Sequence, residues 1–157
     1  MDEQTHATPG RFGPWLAEIM GRWDTEIRVR RIDLRLEFDR EFIVERDPGL
    51  EAALVELCKL MIATVPDGCE VYFGCARSSA AVSRLGAGHW SARWQVAGEE
   101  DGTVVVTPLR PRPGVAARHS TSPLANRVRD CFAKTRWDFS LEALDEGREL
   151  LARASLL

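Results

Sequence analysis

Apolar and polar residues alternate most regularly from 32 to 39, where Ile32, Leu34, Leu36 and Phe38 interleave with Asp33, Arg35, Glu37 and Asp39. That is the period of a strand with one buried face. Upstream, Phe12, Trp15, Leu16, Ile19 and Trp23 recur at helical spacing, with Pro14 suited to a first turn, which predicts an amphipathic helix from 12 to 23. Residues 1–11 are polar, carry Pro9 and Gly10, and read as a flexible tail. A second short strand is expected from 42 to 45. Asp47 then offers a helix N-cap with Pro48 behind it, and Leu50, Leu54, Leu57, Met61 and Val65 form one stripe that stops at Pro66-Asp67-Gly68.

Two further strands are predicted, 69–77 and 89–96, separated by the small-residue segment 78–88. In the second, Trp90, Ala92, Trp94 and Val96 fall on one side and His89, Ser91, Arg93 and Gln95 on the other. An acidic turn, Glu99-Glu100-Asp101-Gly102, leads to a short run at 103–107 and then to a Pro- and Arg-rich stretch at 108–121 with the composition of a loop. Pro123 opens a helix carrying Leu124, Val128, Cys131 and Phe132, and strands at 138–144 and 148–156 flank the turn Asp145-Glu146-Gly147. The order predicts helices layered on one face of a mixed sheet, a two-layer α+β sandwich in a single domain from 12 to 157.

Composition narrows the function classes. The chain has 157 residues, 45% of them hydrophobic, which suffices for one core. With 21 basic against 24 acidic residues the net charge is -3, so no broadly basic face for nucleic acid is expected. No apolar run reaches the ~20 residues of a membrane span and no signal pattern opens the chain, so a cytoplasmic protein is expected. Cys58, Cys69, Cys75 and Cys131 show no CxxC spacing and sit in apolar-periodic segments. Buried free thiols are expected, with no metal site.

The helix that follows Asp47-Pro48 and ends at Pro66-Asp67-Gly68 resembles the nucleotide-binding helix of histidine-kinase-type (GHKL) ATPases. The entry 31–36 and the exit 128–157 are similar to that domain's first strand and to its last helix and closing strands, so the resemblance spans about 26–157. It implies the sensor-kinase ATP-binding fold. In that family an Asn on this helix holds the magnesium that bridges the ATP phosphates, and here Leu60 stands at the matching place. An aliphatic side chain offers no oxygen to a hard cation. Glu56 matches the general base found four residues earlier in hydrolytic relatives, and is either that base or a solvated helix residue.

The first glycine box, implied after Val96, has Gly98 where the family keeps an adenine-binding Asp, Glu100 at the first glycine and Gly102 at the second; Asp101 or Glu99 is the other candidate for the adenine role. The second box is matched by 120–125, where Thr121 fits but Pro123 removes a donor. Thr121 or Ser122 is alternatively a plain N-cap. His6, His89 and His119 lack a helical His-Glu or His-Asp context and read as incidental. The stretch before the first strand is too short for the family's dimerisation hairpin, and the starting methionine speaks against excision from a longer kinase.

Arg110, Arg112 and Arg118 stand where active relatives keep a mobile lid, and either grip an acidic partner or phosphate or are solvated. Trp15 and Trp23 are either core or a partner-binding or dimer face. The expected function is therefore a non-catalytic signalling or scaffold protein without cofactor. Its partner would be a response regulator, a kinase or a sigma-factor-type regulator, with a homodimer also open and neither nucleic acid nor membrane as partner. The alternative is a nucleotide-dependent anti-sigma-type regulator or kinase with displaced ATP ligands.

Overall fold

A computed structural model describes residues 8–40, 42–65, 67–76, 89–95, 122–144 and 149–156. The elements run β1 (Thr8–Arg11), α1 (Phe12–Met20), a 3-10 turn (Gly21–Trp23), α2 (Asp24–Val29), β2 (Asp33–Phe38), β3 (Ile43–Arg46), α3 (Pro48–Thr64), β4 (Glu70–Ala76), β5 (His89–Gln95), α4 (Pro123–Ala133), β6 (Trp137–Leu144) and β7 (Glu149–Leu156). β1 and β3 form a small antiparallel pair, and the main sheet has the order β2-β4-β5-β7-β6. Only β2 and β4 run parallel; the other neighbours are antiparallel. The α+β architecture, a mixed sheet with helices on one face, is the one that the sequence pattern predicts.

Register explains which residues form the core. Val71 and Phe73 of β4 lie opposite Trp94 and Ala92 of β5, which lie opposite Leu150 and Ala152 of β7. All six are buried, and α1, α3 and α4 bury their apolar sides in the same cluster. The intervening positions include Glu70, Tyr72, Ser91, Arg93, Glu149 and Arg153, so the opposite face is largely polar, although Leu151 is buried on it. On that face Arg93 pairs with Glu149 at 3.2 Å and Tyr72 donates a hydrogen bond to Glu37 at 2.9 Å. Tyr72 lies close over Gly74, where a Cβ would come within 2.6 Å of the phenol oxygen.

Three local expectations are corrected. Thr8–Arg11, read as the end of a flexible tail, forms β1; Gly10 admits it because a Cβ there would meet Cδ of Arg46 on β3 at 2.7 Å. The helix expected over 12–23 ends at Met20, and a second helix, Asp24–Val29, follows where none was assigned. The strand expected from 138 starts at Trp137, whose N–H donates to Thr135 Oγ1 at 3.1 Å. The run at 103–107 and the turn at 145–147 lie outside the described residues.

α2 stops in a Schellman-type cap: Arg31 N–H bonds to Arg28 O at 3.1 Å and Ile32 N–H to Ile27 O at 3.0 Å. Arg31 consequently sits at φ 56°, in the left-handed region that costs a residue with a Cβ. Arg31→Gly should raise stability by about 0.5–1 kcal/mol, read as an increase in the urea midpoint at unchanged slope.

Candidate functional site

The site implied by the resemblance gathers around the last turns of α3. Asp47 starts the helix, its carboxylate accepting from Leu50 N–H at 2.8 Å with Pro48 at the first helical position. Glu56, Leu60 and Thr64 follow at four-residue spacing and so share one side of the helix. Leu60 is fully buried, at 0% exposure. Thr64 is also buried; its hydroxyl donates to Leu60 O at 2.9 Å and accepts from the Trp94 indole N–H at 2.7 Å. The end of α3 is thereby tied to β5 by a hydrogen bond inside the core, at the level where the resemblance puts the ligand site.

Glu56 is different. Its side chain is only 16% exposed, Oε1 lies 3.4 Å from Lys59 Nζ, and Oε2 is buried with no hydrogen-bond partner among the described residues. A buried carboxylate oxygen without a donor is costly, on the order of 1–3 kcal/mol, and so calls for a physical explanation.

Two carbonyls at the end of α3, Ile62 O and Val65 O, are satisfied from outside the helix. Arg30, at the end of α2, donates from Nη1 to Ile62 O at 2.7 Å, from Nη2 to Val65 O and from Nε to Asp67 Oδ1 at 2.8 Å. It also pairs with Glu26 at 3.2 Å. The hydrogen bond to Asp67, with help from Glu26, holds the guanidinium above its ordinary pKa against the opposing effect of burial. Sequence reading missed Arg30, since its partners are 32 to 37 positions away. The Thr64–Trp94 bond was missed for the same reason; a lone Thr within an apolar helical run is the signal that points to it.

Ser122, not Thr121, is the N-cap of α4 that the structure describes: Ser122 Oγ accepts from Ala125 N–H at 3.1 Å. Gly98, Glu99, Glu100, Asp101, Gly102 and Thr121 lie outside the described residues, as do Arg110, Arg112, Arg118, His6 and His119. His89 opens β5.

Of the two readings open for Trp15, core or partner-binding face, its place in the structure is the core one. It is buried, packs edge-on against Phe12 at 6.4 Å and carries the Arg46 guanidinium 5.3 Å over its ring. Trp23 is half-buried against the core and keeps part of its surface. Burial pushes the Cys58 thiol up to about 12, so it stays protonated, and no group of metal ligands occurs among the described residues. No helix among them is long and apolar enough to cross a membrane.

No known family's sequence profile matches the chain, and neither does any curated protein. Its fold does match solved structures. The nucleotide-free catalytic domain of histidine kinase ThkA superposes with a TM-score of 0.63 at 12% identity, covering 96% of each chain. The cytoplasmic segment of histidine kinase QseC gives 0.64 at 13% identity, over 100% of this chain and 82% of that one. A histidine kinase from Burkholderia phymatum gives 0.56 at 21% identity, over 96% of this chain and 71% of that one. The chain has the fold of a histidine kinase catalytic domain.

Thr64→Val keeps the shape of the side chain and removes the acceptor of the Trp94 indole. It should cost about 1–3 kcal/mol in chemical denaturation, because the N–H is left buried and unpaired. Thr64→Ser, which keeps the hydroxyl, should retain most of that stability.

Proposed function

We propose that this histidine-kinase-like fold works without catalysis, as a signalling or scaffold protein that binds a protein partner in a bacterial regulatory pathway. A response regulator, a kinase or a sigma-factor-type regulator fits that role. The observation that carries the reading is Leu60. At the place where the resemblance puts a metal-binding Asn there is an aliphatic side chain with 0% exposure, packed in the core. It offers no oxygen to a cation, and its backbone carbonyl already accepts the Thr64 hydroxyl that in turn receives the Trp94 indole N–H. The departures in the two glycine boxes, Gly98, Glu100 and Pro123, support the same reading from sequence. On this reading Trp23, with Arg110, Arg112 and Arg118, supplies contacts to the partner.

Glu56 favours a second reading, a nucleotide-dependent anti-sigma-type regulator or kinase. Its buried Oε2, unpaired among the described residues, is the kind of unsatisfied polar group that active sites retain.

Thermal unfolding with and without millimolar ATP and magnesium separates the two. The scaffold reading expects no shift. A ligand present at ~100 times its dissociation constant stabilises by about 2.7 kcal/mol, so a clear magnesium-dependent rise overturns it in favour of the second. Leu60→Asn gives an independent check. Burying an amide in the apolar core should destabilise the fold by about 2–4 kcal/mol, without conferring magnesium-dependent nucleotide binding in calorimetry.

A further inference from the structure

We propose that Arg30 is a latch that couples the N-terminal helices to the end of α3, so that α2 and the Leu60–Thr64 turn change conformation together. This goes beyond the functional reading above and does not depend on it.

The geometry is specific. One guanidinium reaches two backbone carbonyls of the α3 terminus, Ile62 O and Val65 O, the carboxylate of Asp67 in the turn beyond them, and Glu26 one turn back on its own helix. The main chain adds a second link in the same place, since Gly68 N–H donates to Arg30 O at 2.9 Å. The next bond, Asp33 N–H to Cys69 O at 2.8 Å, starts the β2–β4 pairing. From the helix end, the Thr64 hydroxyl carries the connection into β5 through Trp94.

Charge-assisted and buried hydrogen bonds, joined through the backbone of the last turn of α3, therefore link α2 to the central strand. Arg30 is their only side-chain link to α2 among the described contacts. Arg28, two residues earlier, forms an exposed pair with Asp24 on the same helix, and its side chain makes no other hydrogen bond or ion pair among the described residues. Arg30 is thus a positioning residue. Lysine cannot replace it, because a single ammonium lacks the planar fork that serves several acceptors at once.

Energetic coupling between two sites is reciprocal, and that makes the latch testable. Amide hydrogen exchange of the full chain would be followed by mass spectrometry in the wild type, Arg30→Met, Arg30→Lys, Arg28→Ala and Thr64→Val, and in the Arg30→Met/Thr64→Val double variant. Arg30→Met and Arg30→Lys are expected to speed exchange at residues 61–69 by about tenfold, with Arg28→Ala unchanged.

Thr64→Val is expected to speed exchange in 24–32, and to lose that distant effect once Arg30 is already replaced. The proposal is overturned if exchange at 61–69 is unaltered in both Arg30 variants. It is equally overturned if exchange rises uniformly through β5 and β7, as simple global destabilisation requires, or if Thr64→Val reaches α2 equally well without Arg30. Arg30→Lys keeps the charge and serves as the reporter if Arg30→Met does not fold.

Discussion

A helix whose sides are buried cannot leave its ends to solvent, and α3 is such a helix. Most of its length faces the core, so its terminal N–H and C=O groups must find partners within the protein. Asp47 serves the first turn, and Arg30 and Thr64 serve the last. The two termini thereby fix how far the helix slides along the sheet. The position of Glu56, Leu60 and the turn at Asp67–Gly68 follows from those contacts as much as from packing.

The sheet meets the helices through an aromatic assembly at the opposite end from this turn. Trp90 is fully buried there, stacked on Phe73 at 5.3 Å and on Phe12 at 6.0 Å and tilted against Phe132 at 5.7 Å. Its indole N–H has no acceptor among the described residues. The two buried tryptophans of β5 therefore do different work. Trp94 is oriented by a hydrogen bond, whereas Trp90 is held by ring contacts alone, and packing there outweighs an unmade bond.

What the sequence makes legible is what repeats with a short period. The alternation of β2 and β5, the stripe of α3, its Asp47-Pro48 start and the order of the elements can all be read from neighbours along the chain. The hidden features are those made by distant partners. Arg30 stands among four arginines in ten residues, and nothing local marks it as the one that reaches Ile62, Val65 and Asp67. β1 is too short to show alternation, and its partner β3 lies more than thirty residues on. Trp15 has the spacing of an amphipathic face, but only the fold shows that Phe12 and Arg46 enclose it. Within the candidate site, Leu60 and Glu56 are legible as positions, while the burial that gives each its meaning is not.

The parallel pairing of β2 with β4 has a kinetic side. β6 and β7 pair up to Leu144 and Glu149, close neighbours along the chain, whereas β2 can join β4 only after the whole of β3 and α3 has been laid down between them. Closing the longer loop loses more chain entropy before any contact repays it. The β5–β7 pairing spans a longer stretch of chain still, so the same cost falls on the middle of the sheet as well as on its β2 edge. Non-local pairings of this kind set the speed of folding more than the stability of the finished fold.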